Sequence, residues 1–99
     1  MKLMIDFYNS GIHNRHYTKI NFINYNDLYK KIFETYNKYE ILYTNYYKTK
    51  KRIIKKLYIG LLLSDNKIYN INKYNINLIK NNDEIIVEYF YEYECKIHS

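Results

Sequence analysis

The sequence predicts an α+β domain in which a β-hairpin, one amphipathic helix and further strands complete a mixed sheet. Three observations predict it. Strict alternation of apolar and polar residues opens and closes the chain, a single helical stripe lies between, and short Asn-, Asp- and Gly-bearing turns punctuate the rest.

Leu3 to Asn9 places Leu3, Ile5 and Phe7 on one face and Met4, Asp6 and Tyr8 on the other, the period of a half-buried strand. Asn9-Ser10-Gly11 has turn chemistry, and a second strand is expected from His16 to Ile23, making an amino-terminal hairpin. Asn24 and Asn26 offer side-chain oxygens to cap a helix, and Asp27 sits where the helix dipole favours a carboxylate. The helix is expected over Asp27 to Tyr39, with Leu28, Ile32, Tyr36 and Tyr39 on its buried stripe and Phe33 flanking it. From Ile41 to Lys56 neither period is visible, and the segment reads as a long basic loop. Leu57 to Leu63 reads as the third strand, Ser64-Asp65-Asn66 as a turn, Lys67 to Tyr69 as a short fourth strand, and Asn70 to Lys80 as irregular. Asn81-Asn82-Asp83 turns the chain into a last strand with Ile85, Val87, Tyr89, Tyr91 and Tyr93 on one side and Glu88, Glu92 and Glu94 on the other. That pattern marks it as a central, well-paired strand.

With 99 residues the chain has room for one core, so residues 1–99 are expected to form a single domain. A hydrophobic fraction of 47% with 26% charged residues belongs to a folded chain. The abundance of Asn, Ile, Lys and Tyr, all encoded by AT-rich codons, weakens the case for reading 15 tyrosines as a base-stacking surface. Cys95 is the single cysteine, so no internal disulfide is possible. The first residues lack the layout of a secretory signal, and every apolar run is shorter than the ~20 residues a spanning helix needs. A cytoplasmic or nuclear protein with no membrane partner is expected.

The order of elements, with three local motifs, resembles the ubiquitin-like β-grasp superfamily. The motifs are Leu61-Leu62-Leu63-Ser64-Asp65-Asn66-Lys67-Ile68, Tyr74-Asn75-Ile76 and Asn82-Asp83-Glu84-Ile85-Ile86-Val87. They cover roughly the second half of the chain, and the layout fits all of it. The residues 95–99, Cys-Lys-Ile-His-Ser, lack the paired glycines that conjugation requires, so the resemblance implies a tailless member that docks rather than conjugates. Small spliceosome-associated ubiquitin-like proteins are of this kind. The chain shares with them a basic approach to the third strand, Arg52 to Tyr58, and an aromatic stretch, Tyr89-Phe90-Tyr91, in the last strand. In ubiquitin the docking patch is apolar. Leu62 fits such a patch, whereas Glu88 replaces its last-strand member.

No nucleophile elbow, phosphate-cradling loop or metalloprotease helix is present, and 2 glycines leave little material for a phosphate loop. His13, His16 and His98 lack the partners of a zinc site and read as solvated loop histidines. Neither a cofactor, a metal nor a small-molecule substrate is expected, and the chain reads as a non-enzyme.

Charge carries the strongest signal. Up to Lys56 there are 12 cations against 4 anions, and beyond it 4 against 6, so the chain runs from +8 to −2. Lys48, Lys50, Lys51, Arg52, Lys55 and Lys56 are therefore expected to meet a protein or ribonucleoprotein partner, with Leu62 and Phe90 as apolar anchors. The alternative is direct RNA binding, in which Tyr43, Tyr46 and Tyr47 stack on bases while the same cations hold phosphates.

Overall fold

The computed structural model describes residues 1–48 and 52–93. Strands β1 (Lys2–Asn9) and β2 (Ile12–Lys19) lead into one helix, α1 (Tyr25–Tyr47). Strands β3 (Arg52–Leu62), β4 (Ile68–Asn70) and β5 (Glu84–Tyr93) follow, with a single 3-10 turn at Ile76–Leu78. They form an α+β fold with one mixed sheet in the order β2-β1-β5-β3-β4. β1 and β5 run parallel, and the other neighbours are antiparallel. The alternating last strand is central, as its pattern implied.

The amino-terminal hairpin turns on Ser10 and Gly11, at φ 49° and 86°. Two successive left-handed residues match the twist of the flanking strands, and they return the chain directly into the ladder, where Asn9 faces Ile12. β2 therefore begins four residues before the expected His16 and ends at Lys19. The sequence hid this because β2 is an edge strand whose first half, Ile12 to Arg15, is solvated on both sides and shows no alternation.

α1 starts at Tyr25, two residues before the expected Asp27, because Asn24 and not Asn26 is the cap. Asn24 Oδ1 accepts from the Asp27 amide at 2.9 Å, and Asp27 Oδ2 accepts from the Ile23 amide at 3.0 Å. That backbone bond, and then the Lys31 ammonium, hold the Asp27 carboxyl below its usual range. Asn24→Ala is expected to lower stability by about 0.5–2 kcal/mol, read as a fall in the urea midpoint at unchanged slope.

The helix does not stop at Tyr39. It runs to Tyr47 and closes on Lys48 in the left-handed region, φ 52°. The basic loop expected over 41–56 is thus a misreading: its first half is helix and β3 is already under way at Arg52. No proline or glycine interrupts residues 25–47, and an added anchor at Glu40 holds the extension down. The strand half was masked by a bulge. Ile54 and Leu57, three apart, would face opposite sides of a regular strand, but the register slips between Ile54 and Lys56 and both become buried.

The core lies between the helix and one face of the sheet. Leu28, Ile32 and Tyr36 of α1 meet Leu3, Ile5 and Phe7 of β1, Ile85 and Val87 of β5, and Ile59 and Leu61 of β3. Ile71, Ile76 and Ile79 close the end of this core within the connection from β4 to β5. The connection then grips β1, because Asn82 N donates to Lys2 O at 2.6 Å and Lys2 N donates to Asn81 Oδ1 at 2.7 Å. Gly60 matters for packing: a Cβ there would run into Ile68 Cγ2, so the glycine lets β4 approach β3.

Candidate interaction face

Residues directly opposite in a ladder share a face, which separates the sheet into a covered and an open side. The open side carries Glu84, Ile86, Glu88, Phe90 and Glu92 of β5. Beside them lie Lys56, Tyr58 and Gly60 on β3, and Met4, Asp6 and Tyr8 on β1. Tyr58 and Phe90 form its aromatic centre, edge to face with centroids 6.0 Å apart, and are 48% and 46% exposed. Leu62, half-buried, and the exposed Ile68 extend the apolar surface toward β4.

Toward β2 the same face becomes polar. Asp6 is 1% exposed; its Oδ2 pairs with His13 Nδ1 at 2.7 Å and lies 3.6 Å from Arg15 Nε, which also reaches Glu84 at 3.7 Å. Asp6 Oδ1 is buried without a hydrogen-bond partner. Around the β3 edge, a cleft of about 620 Å³ opens beside Tyr58, between the start of α1 and the β4 connection. Asparagine, tyrosine and aliphatic side chains line it, with Lys73 as the single cation and no histidine, cysteine or carboxylate among the lining residues.

Only part of the expected basic site survives. Arg52 turns inward: its Nε and a terminal nitrogen donate to Glu40 Oε1 and Oε2, both at 2.7 Å, and its guanidinium lies 5.1 Å from the Tyr91 ring. These bonds, with Glu40 foremost, raise the Arg52 pKa and keep it charged. Arg52 is therefore engaged within the fold by Glu40 and Tyr91. Lys55 pairs with Glu92 at 3.5 Å, and Lys56 stands 6.0 Å from the Tyr58 ring. Lys48 caps the helix, whereas Lys50 and Lys51 lie outside the described residues. Tyr43, Tyr46 and Tyr47 sit on the last turns of α1, not on a loop; Tyr46 is exposed, and nothing beyond their helical backbone is described for the other two. Leu62 and Phe90 do lie on the open face. Sequence reasoning missed Tyr58 beside them, although its alternation with Leu57 and Ile59 signalled an outward position.

The two described histidines are strand residues on opposite faces, not loop residues, while His98 and Cys95 lie outside the described residues. His16 faces Ile5 on the covered side and stacks on Tyr39 with centroids 3.8 Å apart at 11°. Its Nε2 is buried without a partner, and burial lowers its pKa. In the unfolded chain the imidazole returns to its ordinary value of 6.5 and binds the proton more readily. Stability is therefore complete above that value and is lost as pH falls below it. Urea midpoints measured on either side of it should drop on the acid side, and His16→Phe, which keeps the stack, should shrink that drop.

The chain matches no protein-family model, no curated protein and no solved structure. Among the described residues no helix is long and apolar enough to cross a membrane, and no group of three metal-ligating side chains converges.

Proposed function

We propose that this chain is a non-catalytic interaction module that docks a protein partner on the open face of its sheet. The observation that carries this is the placement of the helix α1. α1 covers a single side of a five-stranded sheet, and the other side keeps Tyr58, Phe90 and Ile68 exposed across neighbouring strands. Apolar surface gathered on one face marks an interaction site more often than scattered exposure does. The hairpin-first order and the parallel β1–β5 pairing are compatible with a β-grasp-like arrangement, which supports the reading of a ubiquitin-like docking module.

Tagged protein and a Tyr58→Ser, Phe90→Ser variant, each used to capture proteins from native lysate with and without nuclease, test the reading. A defined set of proteins that survives nuclease and is lost with the variant is the expected result. Recovery that collapses on nuclease treatment and ignores the variant would overturn it in favour of RNA contact.

A further inference from the structure

We infer that the open face takes a basic, apolar segment of its partner, with arginine or lysine side chains set against Glu88. This rests on the docking reading above and adds the sign of the partner's charge. Along the outward side of β5, acids alternate with apolar groups as Glu84, Ile86, Glu88, Phe90 and Glu92. Two of these acids have cations of their own, since Arg15 lies 3.7 Å from Glu84 and Lys55 3.5 Å from Glu92. Glu88 sits across from Tyr58 and two residues before Phe90, and among the described residues no cation pairs with it.

A carboxylate beside a pair of half-exposed rings gains more from a partner cation than one on open surface, because docking removes water from carboxylate and cation alike. A guanidinium adds stacking on the ring faces. Isoleucine- or leucine-like groups between the cations match Ile86 and the Tyr58–Phe90 pair, whose spacing alternates with the acids. Other occupants fit less well. Phosphates would meet the acid row of β5, and a second copy stacked face to face would set that row against itself.

The chain's formal net charge of +6 acts in the opposite direction, drawing acidic ligands non-specifically. A preference for a basic peptide therefore reports this face and not the bulk charge. The test titrates ¹⁵N-labelled protein with two short synthetic peptides, one alternating arginine with isoleucine and one alternating glutamate with isoleucine. The arginine peptide is expected to shift the Tyr58, Glu88 and Phe90 amides and to bind about tenfold more tightly, equivalent to about 1.4 kcal/mol. Glu88→Lys, an exposed substitution, should reverse that order with the rest of the spectrum unchanged. Equal or tighter binding of the glutamate peptide at the same amides overturns the charge assignment but leaves the docking face standing. Shifts from neither peptide, or shifts confined to β2 and the helix, overturn both.

Discussion

Glu40→Ala is expected to destabilise the fold by about 3 kcal/mol, because it removes the carboxylate that takes two hydrogen bonds from the Arg52 guanidinium beside the core. The Glu40 side chain is 3% exposed and that of Arg52 20%, so the pair is largely withdrawn from water, with Arg52 keeping some access. That access places the cost near the lower end of the range for breaking a buried pair. Tyr36 OH also donates to Glu40 Oε2 at 3.2 Å, and burial, then Tyr89 and Glu40, push the Tyr36 pKa up and keep its proton in place. Losing the carboxylate leaves that hydroxyl without its acceptor as well. The double variant Glu40→Leu, Arg52→Met should recover most of the loss, since an apolar pair of similar volume avoids the desolvation cost altogether. Urea unfolding of the two variants and the parent gives the comparison. A single-variant loss below about 1 kcal/mol would mean the pair behaves as an ordinary surface ion pair.

Ile32→Ala is expected to cost about 2–5 kcal/mol through lost burial and the cavity left behind. Ile32 is 0% exposed at the centre of the row Leu28, Ile32, Tyr36, which is the helix's hold on the sheet. For a domain of this size each kcal/mol shifts Tm by about 4–8 °C, so calorimetry should register a fall of at least about 8 °C. Phe33, one position along and only partly buried, provides the control: Phe33→Ala should cost less than Ile32→Ala. Equal losses would mean the helix rests on the sheet through a different face.

Both substitutions act on α1, and they differ in how far the sequence announced them. Ile32 was legible, because it repeats at helical spacing with Leu28 and Tyr36. Glu40 falls on the same row one turn further on, and a carboxylate there looks like the end of the buried stripe. It is instead the point where the stripe changes partner, from apolar contacts to Arg52. No periodicity can show that, since the two residues belong to different elements and meet only after β3 has docked.

What the sequence determined by itself was whatever depends on near neighbours. The hairpin turn, the Asn24 cap, the first turns of α1 and the alternation of β1 and β5 are local choices of dihedral angle and burial, written within a few residues of where they act. The tertiary structure decided the rest. It set how far α1 continues, turned Arg52 inward, used a bulge to bury Ile54 with Leu57, and brought Tyr58 beside Phe90 across a ladder of residues distant in sequence. Each of these is a contact between segments whose free energy exists only when both are in place, which is why the open face could be read only after the strands were paired.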